Sequence, residues 1–567
     1  MTTTPSLVPA DAAVVVVGAG PTGFALAIDL GLRGVRTVLL ERDPGTKPYP
    51  KMDRSNARTM EMYRRLGIAG RVRSLGYPPE ASMDVFVART LSDPELVRLR
   101  YPSVAEHRAL IAECADGSEP LEPYQLVSQN DLEPLLLEVA RTTPNVTVHF
   151  SHELIGFEQD ADGVNVQIRD LDGAEHGVRC RYLAGCDGGR STVRRRLGIA
   201  LAGQGGLSEL RQISFRSEGL YEAIPIGQGR HYYLTGPENA TFVVQGSRRH
   251  FTLNAVLPAD ADLEAEVRSR IGGELGRTVD VEILSCLEWK LHLLLAERYR
   301  DGRVFIAGDA AHLVIPTGGL GMNTGVGDGL DLSWKLAAAL AGWGGPAVLD
   351  SYETERRPVG ARNVEASGWA AAGMMMWRDA CPPEINDDGP EGAAARAVVA
   401  ELAEVEQRRV HEMLGAELGY TYAGSPLVAE EPDNPREWPI RHYVPHTRPG
   451  VRIPHLWLAD GRAVQDVLGR GFTLLDLTGA ADTSSLAAAF AERGAPFEVV
   501  STDDPHARDM YGCGLLLVRP DLHVVWRGDR PPTDPRALAS TATGNAVEPY
   551  RSPRPTGAAP VRSGASA

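Results

Sequence analysis

The chain has 567 residues, enough for several domains, and its 43% hydrophobic and 23% charged residues are those of an ordinary globular protein. Its net charge of −16 speaks against broad electrostatic binding to nucleic acid. No run of about eighteen apolar residues is available to span a bilayer, and the start "MTTTPSLVPADAAVVVVGAG" lacks the basic segment of a secretory leader. Only four lysines occur (Lys47, Lys51, Lys290 and Lys335), and this arginine bias, with abundant Ala, Gly and Pro, fits a GC-rich bacterial coding sequence. The six cysteines form no CxxC and no metal-ligand spacing, so a reduced cytoplasmic protein without a metal is expected.

The first element, "AVVVV" at 13–17, is a continuous β-branched run, the pattern of a strand buried on both faces. "GAGPTG" follows and sets Gly18, Gly20 and Gly23 at GxGxxG spacing, before the helical pattern "FALAIDLGLRG" and a second strand, "RTVLLE", ending at Glu41. Glycines at this spacing allow a tight turn, close approach to a pyrophosphate and close helix–strand packing. An acid about twenty residues on can accept hydrogen bonds from ribose hydroxyls. The motif alone leaves NAD and FAD undistinguished. A strand ending in Asp187-Gly188 comes next, "RYLAGCDGGRSTVRRRLGI", and then "RVFIAGDAAHLVIPTGGLGMNTG", where Asp309 precedes a glycine-rich loop and the helical pattern "GLDLSWKLAAAL".

These three segments, in this order and at these separations, resemble the group A flavoprotein aromatic hydroxylases, and within them the phenol hydroxylase and 2,4-dichlorophenol monooxygenase branch. The resemblance extends over nearly the whole chain. It implies that Asp309 binds a ribityl hydroxyl of FAD, and that backbone N–H groups of Gly321, Met322 and Asn323 face the flavin at a helix start, which favours negative charge. It places Pro316 beside the isoalloxazine, framing the substrate cavity, and Gln129 of "SQNDLEPLLLEVA" beside the ribityl-pyrophosphate, with a surface helix-start residue as the alternative. Lys51 falls where many relatives carry an arginine, keeping the charge but losing the bidentate fork. His312 is read as structural. Asp53, five residues before Arg58 of the "ART-E" helix start, matches the catalytic aspartate of phenol hydroxylases; a helix cap or a partner of Arg54 is the other reading.

The expected architecture is α/β. A discontinuous Rossmann-like FAD-binding domain spans 1–425, an antiparallel substrate sheet is inserted at about 80–125 and 200–290, and a thioredoxin-like domain without CxxC covers 445–545. Composition assigns 546–567 to a disordered tail. The alternating stretches "RQISFRS", "RHYYLT", "TFVVQGS" and "HFTLNAVL" supply the inserted strands, where Arg216, Tyr232 and Tyr233 either line a phenol pocket or are ordinary strand residues. "GMMMW" at 373–377 reads as core or subunit interface, in keeping with a homo-oligomer, and Cys513 stands alone, which argues against dithiol chemistry.

The implied reaction is hydroxylation of a phenol or hydroxylated heteroaromatic. NADH or NADPH, bound transiently, reduces FAD, and O2 adds to give a flavin hydroperoxide that the small aromatic substrate attacks. A Baeyer–Villiger or epoxidising enzyme would share every FAD motif, and a non-catalytic FAD-binding assembly protein is the reading from another class.

Overall fold

In the computed structural model, which describes residues 9, 11–48, 50–235, 239–435, 437 and 439–552, the run Asp11–Val17 is an inner strand of a mainly parallel sheet. The sheet path runs Arg300–Asp301, Val304–Ile306, Glu175–Gly185, Asp11–Val17, Thr37–Leu40, Val146–His149, and an antiparallel pair, Glu153–Gln159 and Val164–Arg169, extends it. Val14, Val15 and Val16 are fully buried, as a strand covered on both faces requires. Val17 is in parallel register with Leu40 and Gly185, and Gly185 with Ile306. Glu41, Asp187 and Asp309 therefore all follow strands that end on one edge, where open α/β sheets bind ligands.

The second sheet has eight strands, in the order His312–Leu313, Glu282–Ala296, Leu201–Arg216, His250–Ala255, Ala240–Gln245, His231–Leu234, Val85–Ala88, Glu95–Leu99. All four alternating stretches quoted above lie in its strands. Neighbours pair antiparallel except His231–Leu234 with Val85–Ala88. Its edge strand His312–Leu313 belongs to the segment that carries Asp309, so the sheet and the flavin loop are one piece of backbone. Helices Gly321–Ala341, Pro346–Asp379 and Pro390–Glu406 follow. Of the methionines at 374–376, Met374 packs against a core while Met375 and Met376 are exposed.

The C-terminal sheet has the order Phe497–Ser501, Phe472–Asp476, Leu515–Val518, Val524–Gly528, with the first pair parallel and the others antiparallel. That is the thioredoxin-like arrangement of a βαβ unit followed by a hairpin. Cys513 is in its core, and burial pushes the thiol up to about 12, leaving a protonated apolar side chain. Of the segment assigned by composition to a tail, Tyr550 and Ser552 are buried, while Val547, Glu548 and Arg551 are exposed. Tyr550 N–H donates to Thr541 Oγ1, while Ser552 N–H donates to the Glu430 carbonyl. Residues 553–567 lie outside the described residues.

The hairpin of this domain enters the FAD-binding domain. Arg519 donates to both carboxylate oxygens of Glu355 at 2.7 and 2.8 Å and to Asp331 at 3.2 Å, while Lys335 donates to Asp331 at 2.7 Å and Glu355 at 2.6 Å. Asp521 completes the cluster on Arg519. Against the cost of burial, Arg519 and Lys335 hold Glu355 low, whereas burial pushes Asp331 up. Arg58 and Glu61 of the "ART-E" helix form a second tie, Arg58 to the Asp521 carbonyl at 2.8 Å and Glu61 to Arg452 at 2.7 Å. Removing one member of such a cluster strands the others without partners. Arg519→Met is therefore expected to lower stability by about 3–5 kcal/mol in chemical denaturation. A change below about 1 kcal/mol, typical of a surface ion pair, would show that the cluster does not hold the domains together.

Candidate active site

The nucleotide end is built on close backbone approach. Gly18 has φ +102°, and a Cβ on Gly23 would sit 1.9 Å from the Gly18 carbonyl oxygen, so neither position tolerates a side chain. A Cβ on Gly20 would meet nothing within 4 Å, which leaves that backbone open to a ligand. The helix Pro21–Leu32 starts there without a side-chain cap, so its first N–H groups remain available to an anion. Glu41 accepts from Ala19 N–H at 2.9 Å and Asp43 N–H at 3.0 Å, which orients its carboxylate beside the glycine turn.

The other two motifs meet this turn. A Cβ on Gly18 would strike the Cys186 carbonyl and Asp187 Cα, and one on Gly308 would lie 2.7 Å from Thr22 Oγ1. Asp187 Oδ2 accepts from Thr192 and Val193 N–H, while its Oδ1 is buried with no hydrogen-bond partner. Asp309 is exposed. His312 is buried, with Nε2 2.8 Å from Asp328 Oδ2; Asp328 also accepts from Gly308 N–H at 3.0 Å and Arg356 Nε at 2.8 Å. His312 thus braces the loop.

The flavin end follows. Pro316 is exposed and opens the 3-10 turn Thr317–Gly319, and the helix Gly321–Ala341 starts without a side-chain cap. The N–H groups of Gly321, Met322 and Asn323 are thus the free donors of a helix start. The Asn323 side chain accepts from Asn56 N–H at 2.9 Å and donates to the Arg54 carbonyl at 3.1 Å, clamping the strap around Asp53 to this end. Gln129 Nε2 donates to Glu133 at 2.6 Å and its Oε1 accepts from Lys51 N–H at 3.3 Å; the Lys51 side chain is exposed. The orphaned Asp187 oxygen, the open Gly20 backbone and the uncapped helix start fit a dinucleotide carrying a flavin.

Asp53 precedes the short strand Arg54–Ser55, which pairs with Gln125–Leu126, and faces His231 of the second sheet. The cap of the helix Ala57–Arg65 is Asn56, which accepts from Thr59 N–H, and Arg54 pairs with Glu417 at 2.7 Å, so neither alternative role engages the Asp53 carboxylate. Asp53 Oδ2 has no hydrogen-bond partner and stands 3.4 Å from His231 Nε2. Burial pushes this carboxyl up, against the pull of Arg230 and Arg54. His231 shares a cluster with Tyr233 and His411, at ring-centre distances of 6.2 and 5.4 Å, and burial, then Arg230, holds both histidines well below their usual range.

Two of the three strand candidates fall elsewhere. Tyr232 alternates to the far face of its strand, where it stacks on Phe86 at 5.2 Å and its hydroxyl donates to the Gly227 carbonyl, so it is core. Arg216 is half exposed at a strand end and pairs with Glu282 at 2.5 Å. Tyr233 stays in the cluster. Sequence reasoning missed Arg230, His231 and His411. Alternation along "RHYYL" would have found His231 once Tyr233 was placed, but His411 comes from a short helix 180 residues further on.

A family model described as an FAD binding domain matches residues 11–367, and one described as an aromatic-ring hydroxylase C-terminal domain matches 446–546. The chain belongs to the FAD-dependent aromatic-ring hydroxylases. This hydroxylase is 35% identical over 547 residues to the FAD-dependent monooxygenase apdD of Emericella nidulans, covering 91% of the chain and 87% of that protein. It is 31% identical over 563 residues to a phenol 2-monooxygenase of a Pseudomonas species, covering 92% and 90%. Among solved structures it resembles the rebeccamycin biosynthetic enzyme RebC with reduced flavin, with TM-score 0.86, 34% identity and 95% and 100% coverage.

Asp309 and Glu41 are expected to support flavin in this hydroxylase through charge-assisted hydrogen bonds worth about 1.5–3 kcal/mol each, roughly ten- to a hundred-fold in affinity. Asp309→Ala and Glu41→Ala should purify partly flavin-depleted, as read from the flavin-to-protein absorbance ratio. Full flavin content and unchanged affinity in both would refute this placement.

Proposed function

We propose that a phenol or hydroxylated heteroaromatic binds between the Asp53 strap and the face of the second sheet carrying His231 and Tyr233, and that Asp53 is its general base. The observation that carries this reading is the buried, unpartnered Asp53 Oδ2 beside His231, on a strap fastened by Asn323 to the flavin helix. A phenol with a pKa near 10 is only about 0.1% phenolate at pH 7, a deficit of roughly 4 kcal/mol. A carboxylate that takes the hydroxyl proton raises the electron density of the ring at the carbon to be oxidised. A carboxyl whose pKa is raised is better matched to that transfer than an ordinary aspartate.

FAD, when bound, supplies activated oxygen from O2 using electrons from NADH or NADPH. Gly18, Gly20, Gly23, Glu41, Gln129, Asp187 and Asp309 would hold its nucleotide and ribityl parts, and the first N–H groups of Gly321–Ala341 would stabilise negative charge on its reactive end. Pro316 would frame that end, with Lys51 at the rim. The six free cysteines fit a reducing, cytoplasmic setting, and among the described residues no helix is long and apolar enough to cross a membrane.

The yellow holoenzyme is expected to consume NAD(P)H faster when a phenol is added, with one labelled oxygen atom from O2 appearing on the ring; ester or epoxide products would redirect the reading to the alternative oxygenations. Asp53→Asn should keep FAD yet lose hydroxylation by about two orders of magnitude or divert reducing equivalents to hydrogen peroxide. The base works only when ionised and burial raises its pKa. Wild-type turnover should therefore fall as pH drops through a value above the ordinary carboxylate range, and Asp53→Asn should lack that acid limb. Near-normal product formation by the variant across about pH 6 to 9 would end the assignment.

A further inference from the structure

Four arginines are among the largest fully buried side chains: Arg230, Arg356, Arg452 and Arg519. Three hold a carboxylate, Arg356 on Asp328, Arg452 on Glu61 and Arg519 on Glu355. Among the described residues Arg230 has no carboxylate within 4 Å. Its backbone is fixed in the second sheet, with N–H donating to the Asp84 carbonyl and the carbonyl accepting from Val244 N–H. Its guanidinium donates from Nη2 to His411 Nδ1 at 3.1 Å and lies over the rings of Tyr101 and Tyr124 at 5.2 and 5.3 Å, while Nε has no partner. A buried guanidinium with no carboxylate in contact is costly, and Asp53, the acid that feels it, is not in contact with it, so a charge that arrives with a ligand can serve as its close partner.

The surroundings agree. Arg230 is felt by Asp53, Tyr77, Tyr101, Tyr233, His231 and His411. Burial, then Arg230, holds both histidines well below their usual range, and His411 Nδ1 accepts from Arg230. Of the other nearby cations, Arg54 is already paired with Glu417, and Arg378, over the Tyr233 ring at 5.8 Å, donates to the Ala240 carbonyl and Thr241 Oγ1. The hydroxyls of Tyr77 and Tyr124 and the Nδ1 of His231 are also buried and unpartnered, so several polar groups besides Asp53 Oδ2 are left without a partner around Arg230.

We propose that Arg230 forms an anion subsite at this aromatic-binding site, and that the substrate carries an acidic oxygen group, a carboxylate or an acidic phenolate, set against its guanidinium. The inference rests on the hydroxylase reading and narrows its substrate class from phenols in general to aromatic acids.

The test uses purified holoenzyme and flavin absorbance changes on ligand addition. The probe pairs are 1-hydroxy-2-naphthoate with its amide, for a carboxylate, and 4-nitro-1-naphthol with 1-naphthol, for an acidic phenolate. Wild type should prefer the anionic member of at least one pair by about ten- to a hundred-fold. Which pair shows the preference identifies the source of the anion. Arg230→Gln should bring that ratio near one by weakening the anion, and Arg230→Lys, which keeps the charge but not the fork, should retain part of it. Absence of preference in both pairs, no binding of either anion, or a preference that survives Arg230→Gln overturns the inference. Should Arg230→Gln lose flavin, the wild-type ratio and Arg230→Lys decide. Ring oxygenation is followed in parallel. Hydroxylation without an anion preference defeats this inference alone, and an Arg230-dependent preference without oxygenation of any bound probe defeats the catalytic reading alone.

Discussion

The helix Gly321–Ala341 lies directly against the helix Pro21–Leu32, and it can do so because glycines face the contact. A Cβ on Gly325 would sit 2.3 Å from Thr22 Oγ1, and one on Gly329 would sit 3.0 Å from the Thr22 carbonyl oxygen. That approach brings a segment near residue 320 onto the glycine turn near residue 20 and makes a single site from two distant halves. The same helix then carries three further duties. Asp328 braces the loop of Asp309 and His312, Asn323 clamps the strap of Asp53, and Asp331 with Lys335 receives Arg519. A register error in this one element would misplace the Asp309 loop, the Asp53 strap and the C-terminal domain together.

The electrostatics divide along this helix. On one side the buried charges are in contact with opposite ones: Arg519 and Lys335 share Glu355 and Asp331, and Arg519 also holds Asp521, an arrangement suited to specific docking. On the other, toward the second sheet, burial is left unbalanced. Asp53 and Arg230 are both withdrawn from water without ideal partners. Paired and unpaired buried charges are thus set apart by the same backbone.

Much of the nucleotide half was legible because its signals are short in sequence. Gly18, Gly20, Gly23 and Glu41 fall within one βαβ unit, and Asp187 and Asp309 each end a strand whose hydrophobic run is plain; parallel register then fixes them on one edge. The cluster around His231 was less legible. Adjacent Tyr232 and Tyr233 point to opposite faces of a strand, and no local pattern says which face is inward. Arg230 gains its meaning only from rings at 101 and 124 and a histidine at 411, which three separate segments bring together. The burial of Tyr550 was hidden for a related reason: its Pro- and Ser-rich neighbourhood reads as unstructured, while its partners are at Glu430 and Thr541.

The entry of Arg519 into the FAD-binding domain bears on how the protein is made. Glu355 and Asp331 are synthesised 164 and 188 residues before the guanidinium that balances them. While the nascent chain emerges, the first domain can form its parallel sheet but holds these acids and Lys335 without their final partner. Closure of this cluster waits for the hairpin that carries Arg519. A long-range requirement of this kind slows assembly. A chain truncated before residue 519 can never close that cluster.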